Sequence, residues 1–202
     1  MNRDLSVLHA LRCVGTAGLA RVASFTGLAE SDVESELIDL AVAGLVTHHK
    51  GFGGWALTES GRAADAERTG AELESAGSRP ALAEAFDAFL VLNPELLDLC
   101  TAWQVRSAGG VTTINDHSDA AYDARVLALF TDFHTRAVVV VAALAAAVPR
   151  FGRYDARLSE ALDRAQAGEL ERLADTIDSF HTIWAELHED LLATLGIARW
   201  SG

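Results

Sequence analysis

Lysine is almost missing from this chain. Lys50 is the only one, and 16 basic residues stand against 29 acidic ones, for a formal net charge of −13. That balance excludes strong nonspecific attraction to nucleic acid or to anionic membrane surfaces, both of which depend on clustered Lys and Arg. The deficit runs the whole length. Residues 1–75 hold six basic and eleven acidic side chains, and the remainder holds ten and eighteen. Cysteine is scarce too. Cys13 and Cys100 are the only two, each inside an apolar helical pattern, so a disulfide framework is not expected and a reducing cytoplasm is. Residues 1–15 lack the basic head, apolar run and cleavage site of a secretory leader. The longest apolar run, 137–148, has 12 residues. It is too short to span a bilayer and reads as a buried helix centre, so no membrane partner is expected. Also lacking are HExxH, CxxC and paired ExxH signatures, a phosphate-cradling glycine loop and GxSxG. No metal and no cofactor are assigned on sequence grounds.

What the chain does have is helical periodicity. Leu170, Leu173, Ile177, Phe180, Trp184, Leu187 and Leu191 recur at steps of three and four between Gly168 and Gly196. This spacing predicts one helix over 169–195, roughly 40 Å long at about 1.5 Å per residue. Such a helix needs long partners in its own chain or in a second copy.

The first third alternates short helices with glycine stops. Helices are expected over 3–14, 19–26 and about 31–43, the last burying Val33, Leu37 and Leu40. Residues 45–49 and 55–57 pair as two short strands around the Lys50–Gly54 tip, and Thr58 caps the next helix. Trp55-Ala56-Leu57-Thr58-Glu59-Ser60-Gly61-Arg62 resembles the phrase that ends the wing of MarR-type winged-helix regulators. The resemblance covers about residues 3–70. It implies a winged helix-turn-helix with a β-hairpin wing, double-stranded DNA as partner, and a third helix that enters the major groove. The outward positions of that helix are Ser31, Asp32, Ser35, Glu36 and Asp39, with Glu34 nearby. None matches the Arg, Lys, Asn or Gln that reads base edges. The DNA-contact candidates are Arg21, Ser35, His48, His49, Lys50 and Arg62.

Gly77-Ser78-Arg79-Pro80 is the expected boundary between a domain at 1–76 and an all-helical bundle at 80–202, making a mainly α chain. In the second part, helices are expected at 81–92, at 94–107 behind an Asn93-Pro94 cap, at 119–148, and from Asp155 onward. Residues 108–118 read as a polar loop. Tyr154, Arg157, Leu158, Ala161 and Leu162, followed by Ala167-Gly168-Glu169 and His181, are faintly similar to the helical effector domains of GntR-type regulators. Those domains often hold a metal on an Asp and three His. Only His134 and His181 match that set, and Arg157 stands where a further His is expected, so no metal site is carried over.

Two functional readings follow. In the first, the chain is a homodimeric regulator that senses a small molecule between its helices. Trp103, Gln104, Arg106, His117, Phe130, His134 and Trp184 are then the candidate ligand-binding residues. In the second, DNA binding is lost and the helical part is an enzyme acting on a small metabolite. His181 is the base, Asp178 orients it across one helical turn, and His188 or Arg106 stabilises developing charge.

Overall fold

The computed structural model describes residues 3–49, 51, 53–108 and 110–198. Among these the chain is mainly helical, with two small antiparallel strand pairs. Two compact units emerge. One comprises residues 1–78 together with 188–202, and the other residues 79–187.

The first unit is built on α1 (Arg3–Val14), α2 (Leu19–Thr26) and α3 (Glu30–Val42). Leu8 and Leu11 of α1, Val22 and Phe25 of α2, and Val33 and Leu37 of α3 are all buried. These are the three- and four-residue spacings that give each helix one apolar stripe. Strands β1 (Val46–His49) and β2 (Gly54–Leu57) form a hairpin in which Val46 faces Leu57 and His48 faces Trp55. A third segment joins them. The Ala17 amide donates to Trp55 O at 3.0 Å, and the Trp55 amide donates to Ala17 O at 2.8 Å.

The turn into α4 (Glu59–Ser75) explains the Leu-Thr-x-x-Gly phrase. Thr58 Oγ1 accepts from the Gly61 amide at 3.0 Å and donates to Gly44 O at 2.8 Å. A Cβ on Gly61 would lie 1.9 Å from Leu45 O, so only glycine fits.

The second unit is dominated by α5 (Arg79–Gln104) and α6 (Ala120–Ala147), with α7 (Gly152–Gln166) beside them. The expected break at Asn93-Pro94 does not occur; α5 runs straight through Pro94. A mid-helix proline costs about 3 kcal/mol. Burial of Leu92, Leu96, Leu99 and Trp103 on one stripe outweighs it. Asn93 caps nothing, and its Oδ1 instead accepts from Trp184 Nε1 at 3.0 Å.

The expected loop 108–118 is also corrected. Its first part belongs to a hairpin, β3 (Val105–Ala108) with β4 (Val111–Ile114). Val111-Thr112-Thr113-Ile114 is a β-branched run that suits a strand better than a loop.

A further correction concerns the end of the chain. Residues 170–172 form a single 3₁₀ turn, 173–179 are irregular, and α8 spans only Phe180–Leu195. Ser179 is the reason for the late start. Its buried Oγ accepts from the Thr182 amide at 3.2 Å and so caps α8. Ile177, expected on the apolar seam, is 67% exposed. Within α8, the residues from His188 onward group with the first unit.

Helix α6 is long and apolar enough to cross a membrane by length and composition, and 28% of its apolar window is buried. The uninterrupted run of 12 residues understated it, because Val126, Leu127, Leu129, Phe130 and Phe133 add apolar positions before Arg136.

Candidate functional site

The second unit holds an aromatic core. Phe89 stacks on Trp184 at 4.6 Å, Phe133 meets the same indole edge-on at 5.2 Å, and Phe180 meets Phe130 at 5.8 Å. All five rings are buried. Phe130 and Trp184, expected to line a ligand pocket, thus sit in packed core, and the Trp184 N–H is taken by Asn93. His134 borders this core. Its Nε2 lies 3.2 Å from Ser159 Oγ, and its ring meets Phe180 edge-on at 5.8 Å. Burial lowers its pKa, against the opposing charges of Asp155 and Asp163.

A polar cluster lies where α5, the β3–β4 hairpin and α6 meet. Asn115 Nδ2 donates to Trp103 O and to Asp123 Oδ1, both at 2.9 Å. The Asn115 amide donates to Gln104 O at 2.8 Å, while the Gln104 side chain is exposed. His117 Nδ1 lies 3.1 Å from Asp123 Oδ2, and the His117 ring leans on Trp103 at 4.6 Å. His117 adopts a left-handed φ of 56°, a conformation uncommon outside glycine. It holds the imidazole between indole and carboxylate. The Trp103 Nε1 is buried and has no hydrogen-bond partner among the described residues, which is rare for an indole. Arg106 is engaged by the residues on either side of His117. It pairs with Asp116 at 2.8 Å and with Ser118 at 3.1 Å.

Among the described residues, no contact joins Asp178 to His181, the expected catalytic pair. Asp178 is ion-paired with Arg172, which keeps its carboxyl below the usual range despite partial burial. His181 lies in the first turn of α8, with its amide donating to Leu173 O at 3.0 Å. His188 is half-buried on the part of α8 that belongs to the first unit.

Comparison with known proteins finds no matching family, no matching characterised relative and no matching solved structure.

Of the expected DNA contacts, Ser35, His48, His49 and Arg62 are exposed and Arg21 is half-buried; Lys50 lies outside the described residues. The exposed face of α3 presents Ser31, Glu34, Ser35, Ile38, Asp39 and Val42. Asp32 is paired with Arg3 at 3.2 Å.

Sequence reasoning missed a deeply buried polar cluster among the described residues. His9 on α1 is 1% exposed. Its Nδ1 lies 3.0 Å from Asp65 Oδ1 on α4, and its Nε2 lies 2.9 Å from Asp190 Oδ1 on α8. Thr69 donates to Asp65 at 3.3 Å and Thr194 to Asp190 at 3.1 Å. Cys13 Sγ approaches the same Nε2 at 3.6 Å. Alongside, Arg12 is ion-paired with Glu189. With both carboxylates ionised, the ring must be an imidazolium to donate twice. Burial alone lowers the His9 pKa. The Cys13 sulfur, the Asp190 carboxylate and the bonds to both aspartates overcome this and raise it well above its ordinary value. The one signal available in sequence was a histidine and a cysteine four residues apart on a helix.

Proposed function

We propose that this chain is a MarR-like winged-helix transcriptional regulator that acts as a cytoplasmic homodimer and senses a small molecule in its helical unit. The observation that carries the reading is the order α1, α2, α3, hairpin, α4, with Ala17 of the α1–α2 connection bridged to Trp55 of the wing. That arrangement supports a winged helix more specifically than helix content does. The Thr58–Gly61 turn supports it further, since it accounts for the family phrase physically.

DNA contact in this reading falls to the hairpin and to helix ends, through His48, His49, Arg62 and Arg21, because α3 offers no cation on its exposed face. The expected affinity is modest and strongly salt-dependent. A gel shift at low salt, using DNA upstream of the protein's own gene, tests it. Retarded bands that vanish in R62A/H48A support the reading, and no retardation at micromolar protein refutes it.

The ligand anchors are Trp103 Nε1 and His117. An unpartnered buried donor beside a half-exposed imidazole is what a polar ligand atom would satisfy. One observation favours a second reading, an enzyme. His117 and Asp123 form the His–carboxylate pair that a general base requires. The acid–base role therefore moves from His181 and Asp178 to this dyad. A pH-dependent turnover lost in H117A, with DNA binding absent in wild type, would favour the enzyme over the regulator.

A further inference from the structure

We propose that His9 Nε2, Cys13 Sγ and Asp190 form a three-ligand site for a zinc-class divalent ion, with Asp65 orienting the imidazole. The three donor atoms lie within 4.8 Å of one another. They are a nitrogen, a sulfur and a carboxylate oxygen, a set that suits zinc and cobalt rather than calcium or magnesium.

Ligand spacing supports the assignment. Tetrahedral zinc with Zn–N about 2.05 Å and Zn–S about 2.3 Å holds its nitrogen and sulfur roughly 3.6 Å apart. The His9 Nε2 to Cys13 Sγ distance is 3.6 Å. The corresponding N–O edge is roughly 3.3 Å, against 2.9 Å between Nε2 and Asp190 Oδ1. An opening of a few tenths of an ångström, by rotation of one carboxylate, admits the ion.

The remaining geometry also fits. Nε2 faces two acceptors at once, Asp190 and Cys13, and a single N–H serves only one well. A cation at their meeting point serves both. On the far side of the ring, Nδ1 donates to Asp65 at 3.0 Å, the carboxylate–histidine arrangement that commonly supports metal-bound imidazole. Asp65 is in turn held by Thr69. His9 and Cys13 are four residues apart on α1 and so project from one face. Binding displaces the Nε2 proton and the Cys13 thiol proton to solvent. Three protein ligands leave a fourth position for water or an exogenous ligand.

The test uses the full chain, treated with chelator and then titrated with CoCl2 under anaerobic conditions. Binding should produce a thiolate-to-cobalt charge-transfer band in the near ultraviolet and the visible bands of tetrahedral cobalt, both displaced by ZnCl2. Cys13→Ser should abolish the charge-transfer band, and Cys100→Ser should keep it. Asp65→Asn should keep the bands while weakening affinity about 10- to 100-fold. Should Cys13→Ser fail to fold, alkylation of wild type reads the same site: ZnCl2 must protect Cys13. No cobalt bands at micromolar protein, bands that survive Cys13→Ser, or unprotected Cys13 would each overturn the site and leave an ordinary buried ion pair.

Discussion

His9 Nε2 and Asp190 Oδ1 lie 2.9 Å apart although 181 residues separate them in the chain. Asp65, 56 residues from His9, completes the bridge on the opposite ring nitrogen. The cluster ties α1, α4 and the C-terminal part of α8 into one unit by buried polar contacts.

Removing one partner should therefore be costly. Asp190→Ala leaves the imidazolium facing a cavity, and losing one partner of a buried pair costs about 3–5 kcal/mol. Urea denaturation in chelator-containing buffer should show that loss as a fall in midpoint. A change under about 1 kcal/mol would mean that the cluster is not dry.

Gly61→Ala should destabilise the first unit strongly, because the new Cβ meets Leu45 O at 1.9 Å and the backbone must shift. The expected loss is about 2 kcal/mol or more, in the range of overpacking and strain. Thr58→Ala removes the helix cap alone and should cost about 1 kcal/mol. Thermal melts of the two variants should rank them in that order.

His134 sets a testable pH response. Its folded pKa is depressed from 6.5, first by burial, with Asp155 and Asp163 opposing. Ser159 is its hydrogen-bond partner, and Phe180 meets its ring. The fold thus prefers the neutral ring. Its contribution to stability is fully present above the unfolded value and is lost as pH falls through the folded value. His134→Gln should lose less stability than wild type between pH 7.5 and about pH 5. Equal losses would show that the ring is solvated.

A homodimer should form through the exposed apolar positions of α5 and α6. Leu90, Val91 and Leu97 lie exposed on α5, and Leu129 and Val139 on α6. Light scattering at micromolar concentration should give twice the 21.5 kDa chain mass. Leu97→Asp with Val139→Asp should give the monomer. A monomeric wild type would remove the dimer from the proposed function.

Short-range chemistry was legible in the chain. Three- and four-residue spacings place the helices of both units, Gly27 ends α2 with a left-handed φ of 73°, and Thr58 caps α4 as the hairpin-to-helix phrase implies. Such signals act within one or two turns, so they survive without tertiary context. Where local signals conflicted, packing chose between them. Asn93-Pro94 looks like a helix start, yet the apolar stripe through Trp103 keeps α5 whole. The seam from Leu170 to Leu191 looks like one helix, yet Ser179 caps a shorter one.

Only the tertiary structure decided the sites. Whether Asp178 meets His181 or Arg172 is a choice between neighbours at similar reach, and the ion pair prevails. His117 reaches Trp103 and Asp123 because β4 returns the chain along β3 to the end of α5, where the Asn115 amide donates to Gln104 O. Sequence by itself determined a mainly helical chain with a small hairpin after its third helix, because backbone periodicity and capping are local. It could not reveal the partners of His9, because a polar side chain is buried only where distant carboxylates satisfy it, and that meeting exists only in the folded chain.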